Sequence, residues 1–408
     1  MRKALAAAGL LALAGCAGGP TRPARVMSGL DVLEAEGFAP LKGKRVGVIT
    51  NRTGVDAGGR SIVDLLAAAP GVTLSAVYSS EHGFSATKET AVIAPDRISA
   101  AGKTIPLYSL FIGNVQRPTP DQLAGIDVLV FDIQDIGARF YTYLATMAMA
   151  LESAKDAGLE FVVLDRPNPI GGALVEGPRV DEPGAAGKDP VSYFDVPTRH
   201  GLTAGEMALL HNSTVKHPKL TVVKMKNWKR ATWFDETGLP WVPPSPNMPD
   251  LAAAALYPGV ANLEYSNLSV GRGTDVPFGW IGAPWLDAGA LKKRMDEALL
   301  EGVAFAVESH TPSKDIYAGQ ACAGLRIVVT DRGAARPLRV FAELAAALRD
   351  TQPDFKLTWT KTRRLVGRER FFELYTAGAT GAEIARLFDA DAAEFEKTRA
   401  PFLLYPEP

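Results

Sequence analysis

Short runs in which nearly every position is apolar recur along the first half of the chain. Strands that are buried on both faces of a parallel sheet show this pattern, because neither face meets water. Segments with apolar residues at helical spacing separate the runs, the longest of them over 136–156. Strands that alternate with helices predict an α/β fold with a doubly wound parallel sheet. The predicted strands are RVGVIT (45–50), LSAVYS (74–79), DVLVFDI (127–133) and FVVLD (161–165).

The pattern changes at WFDETGLPWVPPSPNMP (233–249), a segment with five prolines and little periodicity. Such a segment is typical of a crossing connection or a domain boundary. A chain of 408 residues is long for one hydrophobic core, so we predict an N-terminal domain over 26–240 and a smaller α/β domain over 241–408. The second domain is predicted to hold strands at 303–308 and 324–330 and helices near 288–300, 337–349, 368–376 and 381–399.

The first residues, MRKALAAAGLLALAGCAGG, combine two basic residues with a short apolar run that ends on Leu-Ala-Gly-Cys, followed by three small residues. The pattern is typical of an export signal, and the run is too short to span a bilayer. Because Leu-Ala-Gly-Cys resembles the lipobox of bacterial lipoproteins, residues 1–15 are predicted to be removed, Cys16 to be lipidated and residues 16–25 to form a tether. A buried Cys16 behind a plain signal is the alternative. Alanine after Cys16 favours a periplasm-facing lipoprotein anchored in the outer membrane.

Composition and motif spacing exclude several functional classes. With 22% charged residues and a net charge of −1, the chain lacks the basic pattern of a nucleic-acid-binding protein. Its five histidines have no metal-ligand spacing, no G-x-S-x-G motif is present, and GVDAGGR (54–60) lacks the spacing of nucleotide-binding loops. We therefore expect neither a metal nor a cofactor. Cys322, beside a predicted strand, is expected to be a buried structural thiol.

Polar and charged residues follow each predicted strand of the first domain. In open parallel sheets ligands bind outside the carboxyl ends of the strands, so these residues are expected to share one site. Arg139 is expected in the first turn of a helix, where the dipole disfavours a cation and so favours a role in binding an anion. Asp135 fits either the N-cap of that helix or the site, while Glu206 and Glu383 fit capping boxes and are excluded. The candidates are Asn51, Arg52, Glu81, His82, Asp132, Gln134 and Arg139.

A second group of candidates lies in NLEYSNLSVGRGTDVPFGWIGAPW (262–285) and in the proline-rich segment before it. Glycines there let backbone approach a ligand closely, and the two tryptophans suit the apolar faces of sugar rings. Packing between domains is the alternative for this segment. The candidates are Asn247, Glu264, Asn267 and Arg272.

Two glutamates from different domains, Glu81 and Glu264, offer the carboxylate pair that glycoside hydrolysis requires. Glu81 ends a buried strand and precedes Gly83 and Phe84, and a carboxyl in such a partly apolar setting suits a general acid. The hypothesis requires that Glu81 and Glu264 face each other across one cavity.

Many long segments match one family in the same order, among them VITNRTGVD, SEHGF, DIQDIGARFYTYL, LDRPNPIGG, WVPPSPNMP and NLSVGRGTDVPFGWIGAPW. Over almost its whole mature length the chain resembles the exo-β-N-acetylmuramidase (NamZ) family. The resemblance implies a Rossmann-like N-terminal domain, a smaller C-terminal domain and an active-site cleft between them. It also implies release of terminal N-acetylmuramic acid from the non-reducing end of peptidoglycan fragments. A non-catalytic envelope lipoprotein that binds the same fragments is the alternative.

By position, the family's site glutamates correspond to Glu81 and Glu264. Muramic acid carries a lactyl carboxylate, which Arg52, Arg139 and Arg272 are candidates to bind, because a guanidinium matches a carboxylate with two hydrogen bonds. The remaining substrate-binding candidates are Asn51, His82, Asp132, Gln134, Tyr141, Asn247 and Asn267.

Overall fold

The structure of the chain is a computed structural model that describes residues 25–89, 96–111, 116–183 and 189–406. The predicted signal peptide, Cys16 and all of the tether except Arg25 lie outside the described residues. Within the described ranges, no helix is both long enough and apolar enough to cross a membrane.

A seven-stranded sheet forms the centre of the N-terminal part. Its strands are β1 (Arg45–Thr50), β2 (Thr73–Ser79), β3 (Asp96–Ala100), β4 (Lys103–Ser109), β5 (Val128–Asp132), β6 (Glu160–Leu164) and β7 (Leu220–Val223). The order is β3-β4-β2-β1-β5-β6-β7, and neighbours pair in parallel except for β3 and β4. The four predicted strands are confirmed as β1, β2, β5 and β6. The strands β3, β4 and β7 were not predicted, because they are short or partly polar and lack a continuous apolar run. Of these, β3 and β7 are the edges of the sheet, and β4 pairs with β3.

Helices cover both faces of this sheet. They are α1 (Gly29–Ala35), α2 (Ile62–Ala68), α3 (Pro120–Leu123), α4 (Tyr143–Asp156) and α5 (Ala204–Val215). Within β1, Val46 and Val48 belong to an apolar core that includes Leu66 of α2, while Ile49 belongs to the core of the opposite face with Met147 of α4. The predicted doubly wound α/β fold is therefore confirmed.

The helix predicted over 136–156 begins only at Tyr143. Gly137 has a φ of 84°, which is outside the helical region, so the apolar spacing that starts at Ile136 does not continue as a helix. Arg139 consequently lies in an irregular segment, where its backbone N–H donates to the carbonyl of Thr198, and not in a first helical turn.

The strand order reverses at β1. Its neighbours are β2 on one side and β5 on the other. After β2 the chain forms the edge strand β3, turns back into β4 and then crosses to β5. Loops after β1, β2 and β5 leave the same edge of the sheet and diverge there, and such a switch point is where open α/β sheets form a binding crevice.

The C-terminal part contains a smaller, antiparallel sheet and six helices. The strands β8 (Trp280–Ala283), β9 (Val303–His310) and β10 (Cys322–Val329) have the order β8-β10-β9. The helices are α6 (Leu251–Val260), α7 (Ala288–Glu297), α8 (Pro337–Thr351), α9 (Trp359–Val366), α10 (Glu369–Thr376) and α11 (Gly381–Arg399). The predicted strands and four predicted helices of this region are confirmed. The domain boundary at residue 240 stays a prediction, and it falls between the last strand of the large sheet and the first of the small one.

One apolar core continues from the large sheet into the C-terminal helices. Phe140 packs edge to face on Tyr257 of α6 with ring centroids 5.3 Å apart, and the same core reaches Phe341 of α8. Trp280 lies fully inside, with its indole N–H donating to the carbonyl of Glu308 at 3.0 Å. This position corrects the expectation that its ring offers a face to a sugar.

Candidate active site

Glu81 stands at the carboxyl end of β2, where the backbone turns sharply. The next two residues, His82 and Gly83, have φ values of 68° and 73°, so the chain passes through the left-handed region and presents the Glu81 side chain at the sheet edge. Glu81 is half-buried, and its Oε2 accepts a hydrogen bond of 2.5 Å from the Thr142 hydroxyl. His82 donates from Nδ1 to the carbonyl of Lys88 at 2.7 Å and thereby closes the following loop.

Three tyrosines form an aromatic wall beside Glu81. The ring of Tyr141 meets those of Tyr143 and Tyr257 edge to face, with centroids 4.9 and 5.9 Å apart. The Tyr143 hydroxyl donates to the carbonyl of Pro244 at 2.5 Å, which ties the proline-rich segment to the start of α4. Burial, together with the nearby charge of Glu81, raises the pKa of Tyr143, so this phenol stays neutral.

Glu264 follows α6 and a single 3-10 turn, and it is paired with Arg272. The guanidinium Nε and Nη2 both donate to Oε1 of Glu264, at 3.0 and 2.6 Å. Oε2 makes no hydrogen bond to any residue that the structure describes. Burial raises the pKa of the Glu264 carboxyl and the Arg272 guanidinium opposes that rise, while the Arg272 guanidinium also lies 5.6 Å from the centroid of the Phe278 ring.

The two glutamates interact with each other. The charge of Glu81 is among the causes that raise the pKa of Glu264, and both carboxylates act on the pKa of Tyr257, which burial raises. Tyr257 packs on Tyr141 from the sheet side and on Phe278, at 4.6 Å, from the loop that carries Arg272. Glu81 and Glu264 thus border the same aromatic cluster, which lies between the N-terminal and C-terminal parts of the chain.

Other predicted site residues lie around this pair. Arg52 donates from Nε to the carbonyl of Pro243 at 2.8 Å. Asn51 is buried, and its side-chain oxygen accepts hydrogen bonds from the N–H and hydroxyl of Thr53. Asn247 is buried in the proline-rich segment and donates to Glu89 at 3.1 Å. The sequence analysis missed Glu89, which lies in a polar loop without any motif.

Four further predicted substrate-binding residues make hydrogen bonds within the protein itself, and their binding of substrate stays a prediction. Asp132 is fully buried in a bidentate ion pair with Arg166, at 2.5 and 2.8 Å. Gln134 donates to the carbonyls of Asp135 and Pro167. Asn267 bonds through both side-chain atoms to the backbone at Asp354 and Lys356.

Arg139 is the fourth of these residues. It is buried, and its Nη2 donates to the carbonyls of Leu365 and Val366 at 2.6 and 3.2 Å, at the C-terminal end of α9. Burial lowers the pKa of Arg139 to about 9. The contacts stabilise a helix end, and the binding of a substrate carboxylate by Arg139 stays a prediction.

Asp135 does not cap α4, because Thr142 occupies the N-cap position. Its Oδ2 accepts from the N–H of Gly137 at 2.6 Å and lies 3.8 Å from Nε2 of His200. Burial raises the pKa of Asp135 to about 7 and lowers that of His200 to about 3. The capping boxes predicted for Glu206 and Glu383 are confirmed at the starts of α5 and α11.

Fold and site together define a two-domain α/β protein with a carboxylate pair between its domains, the groups that a glycosidase uses. The family description "Exo-beta-N-acetylmuramidase NamZ, N-terminal" matches residues 46–252, and "Exo-beta-N-acetylmuramidase NamZ, C-terminal" matches residues 255–405. The chain therefore belongs to the exo-beta-N-acetylmuramidase NamZ family.

Relatives with similar sequences and solved structures agree with this assignment. "Peptidoglycan beta-N-acetylmuramidase NamZ" of Bacillus subtilis (strain 168) is 39% identical over 387 residues, which cover 93% of this chain and 92% of that protein. A crystal structure of a DUF1343 family protein from Bacteroides fragilis NCTC 9343 is 34% identical with a TM-score of 0.84, covering 94% of this chain and 99% of that one. A second protein of the same family and organism is 27% identical with a TM-score of 0.75, covering 94% of this chain and 100% of its own.

Proposed function

We propose that this chain is an exo-acting glycoside hydrolase that releases terminal N-acetylmuramic acid from the non-reducing end of peptidoglycan fragments. The observation that carries the proposal is the position of Glu81 and Glu264, two carboxylates from different domains, beside one aromatic cluster built around Tyr257, whose pKa both of them raise. The similar Bacillus subtilis protein, a peptidoglycan β-N-acetylmuramidase, supports the bond type and the sugar.

In this mechanism Glu81 is the general acid. It donates its proton to the glycosidic oxygen as the bond from that oxygen to the anomeric carbon breaks, and water then adds to the anomeric carbon. A hydroxyl partner suits this role, since the Thr142 hydroxyl can donate to the ionised carboxylate and accept from the protonated carboxyl. The Glu81 side chain therefore keeps one orientation in both protonation states.

Glu264 is the second carboxylate and faces the positive charge that develops on the sugar ring. Arg272 fixes its orientation through Oε1 and leaves Oε2 for the reaction. Burial, which raises the pKa of Glu264, makes the carboxylate a better proton acceptor, while the charge of Arg272 opposes that rise and favours the ionised form.

The test is product analysis with a muropeptide-derived disaccharide that carries muramic acid at its non-reducing end. Wild-type enzyme is expected to release free N-acetylmuramic acid, and Glu81→Gln is expected to abolish release with an unchanged melting temperature. Glu36→Gln is a matched control, since Glu36 is exposed at the end of α1. A Glu81→Gln enzyme with the wild-type rate would refute the assignment of the acid, and binding without turnover by the wild type would favour a non-catalytic lipoprotein.

For location we propose that the enzyme is an envelope lipoprotein, anchored through Cys16 and facing the periplasm. The basic start, the short apolar run and the Leu-Ala-Gly-Cys ending support this proposal. Cys16→Ser is expected to move the protein from the detergent phase to the soluble periplasmic fraction. Cys322→Ser is the matched control, because Cys322 is buried in β10 and its replacement leaves an anchor in place. Equal partition of Cys16→Ser and the wild type would contradict the anchor.

A further inference from the structure

Glu89 lies near the pair of Glu81 and Glu264. Its carboxylate accepts hydrogen bonds from two side chains that are distant in sequence, Asn247 and Lys314. Its Oε1 is 2.5 Å from Nζ of Lys314, in the C-terminal part, and accepts from Nδ2 of Asn247 at 3.1 Å. The side chains of Glu89 and Lys314 are 47% and 39% exposed, so a solute can reach the contact from solvent. Asn247 is buried, which fixes the direction in which its amide donates.

Backbone contacts hold Lys314 next to Arg272. Gly273 has a φ of 81°, and a Cβ at this position would lie 2.7 Å from the backbone nitrogen of Lys314. The Gly273 carbonyl accepts from the backbone N–H of Ser313 at 2.8 Å. Lys314 therefore stands beside the residue that pairs with Glu264. The Lys314 ammonium, and more weakly the Arg272 guanidinium, lowers the pKa of Glu89, so the bound group is a carboxylate.

The geometry points to a carboxylate subsite: we propose that Lys314 and Asn247, beside Arg272, bind the carboxylate of the acidic sugar substrate, and that Glu89 fills this subsite until the substrate displaces it. The inference rests on the proposed function, which supplies a sugar with a carboxylate. Exchange of one carboxylate for another keeps the Lys314 ammonium paired, and the displaced Glu89 carboxylate, already half-exposed, is hydrated instead. Because the ion pair with Glu89 is solvent-exposed, little free energy is lost when it breaks.

A neutral sugar offers these donors acceptor oxygens but no negative charge to replace that of Glu89 beside the Lys314 ammonium. The subsite is thus expected to select acidic sugars. Glu89, the carboxylate that competes with the substrate, lies in the same loop as the proposed acid Glu81. Lys314 was not among the candidates from sequence, because a lysine in a polar loop is ordinary on a protein surface.

The experiment compares the 4-nitrophenyl β-glycoside of N-acetylmuramic acid with that of its lactyl methyl ester. The quantity measured is the ratio of kcat/KM for the acid to kcat/KM for the ester. Lys314→Met is expected to lower this ratio at least about tenfold, the range for a hydrogen bond to a charged group. Lys292→Met is the matched control, because Lys292 forms an ion pair of the same length with Asp296 on α7, and its ratio is expected to equal that of the wild type.

A second variant, Glu89→Gln, removes the competing charge. Its KM for the acid glycoside is expected to fall severalfold relative to its KM for the ester. A Lys314→Met enzyme with the wild-type ratio, or a Glu89→Gln enzyme with a raised KM for the acid alone, would overturn the subsite while the proposed function stands. If the wild type hydrolyses neither glycoside and releases no sugar from the disaccharide, it is the proposed function that fails.

A third substrate distinguishes two sources of the carboxylate. In the glycoside whose lactyl group is amide-linked to a dipeptide, the lactyl carboxylate is absent and only peptide carboxylates remain. A much smaller loss for Lys314→Met on this glycoside than on the free acid supports the lactyl assignment. An equally large loss would overturn it and assign Lys314 to the peptide.

Discussion

The hydroxyl of Thr142 donates to the carboxylate of Glu81 and accepts no hydrogen bond from the helix that Thr142 begins. Thr142 occupies the N-cap position of α4, yet its side chain makes no capping hydrogen bond. An N-cap threonine usually accepts from a backbone N–H of its own helix, which contributes about 1 kcal/mol to stability. The helix lacks this contribution, and the hydroxyl orients a side chain that follows a different strand.

Thr142→Val is expected to lower kcat about tenfold with little change in KM, because Val keeps the shape but loses the hydrogen bond that orients Glu81. Thr142→Ser is expected to restore the rate. The loss is expected to be smaller on a 4-nitrophenyl glycoside than on a disaccharide, since a good leaving group needs less help from an acid.

Thr146→Val is the control for this pair. Thr146 lies one turn further along α4, and its hydroxyl donates only to the carbonyl of Thr142. Equal losses on both substrates, or failure of Ser to restore the rate, would contradict a role for Thr142 in orienting Glu81.

Arg272→Met is expected to move the acidic limb of the kcat/KM profile to higher pH. Glu264 must be ionised to act as a proton acceptor, burial raises its pKa and Arg272 opposes that rise. Without the guanidinium the pKa of Glu264 rises further, so activity is lost at a higher pH as pH falls, by about one unit or more.

Arg332→Met is the matched control for Arg272. Arg332 also pairs with a carboxylate, Asp235, and lies 5.1 Å from the centroid of an aromatic ring, Trp233, but away from the glutamate pair. An unshifted acidic limb in Arg272→Met would show that Arg272 does not set the proton affinity of Glu264.

Asp135→Asn is expected to change how stability depends on pH. The pKa of Asp135 is raised to about 7 in the folded state, so between about pH 4 and pH 7 the folded state keeps a proton that the unfolded state releases, and stability falls as pH rises. The pKa of His200 is lowered to about 3, so over about pH 3 to 6.5 its contribution rises with pH. In the wild type these two slopes oppose each other.

In Asp135→Asn the carboxyl is gone, so of these two groups only His200 still makes stability depend on pH. The free energy of unfolding of Asp135→Asn, relative to the wild type, is therefore expected to rise by about 1.4 kcal/mol per pH unit between about pH 4 and pH 6.5. Urea denaturation at several pH values measures this difference. Parallel pH profiles for variant and wild type would contradict the assignment.

Asp132→Asn is expected to lower the free energy of unfolding by about 3–5 kcal/mol, because it leaves the buried guanidinium of Arg166 without its partner. The double variant Asp132→Asn with Arg166→Met is expected to recover part of that loss, since the unpaired charge is gone. Chemical denaturation of both variants measures the difference. A single variant as stable as the wild type would show that the ion pair contributes nothing.

The sequence predicted the central strands well, because β1, β2, β5 and β6 are buried on both faces and therefore apolar throughout. It could not predict β3 at the sheet edge, where one face meets solvent and the residues are mostly polar. Arg139 was misplaced for a related reason: apolar residues at helical spacing extend the pattern of α4 backwards past Gly137, and spacing alone does not reveal the φ of a glycine.

In the site, Glu81 was a candidate because a charged residue follows a buried strand there. Glu264 and Arg272 were candidates because they lie in a segment rich in glycine that also holds two tryptophans. Glu89 and Lys314 escaped because each is an ordinary charged residue in a polar loop, and their contact joins positions 225 residues apart in the chain. Thr142 was not predicted, because a threonine at the start of a helix is ordinarily an N-cap residue. Only the structure shows that its hydroxyl donates to Glu81.

The unbroken apolar packing between Phe140 and Tyr257 and on to Phe341 has a consequence for biosynthesis. In a nascent chain that ends after the large sheet, α4 and α5 already cover most of this face, but the apolar surface around Phe140 that packs on Tyr257 stays exposed until α6 has been made. Folding of the N-terminal part is therefore expected to be completed only when the C-terminal helices are present. A truncated chain that lacks these helices is expected to aggregate.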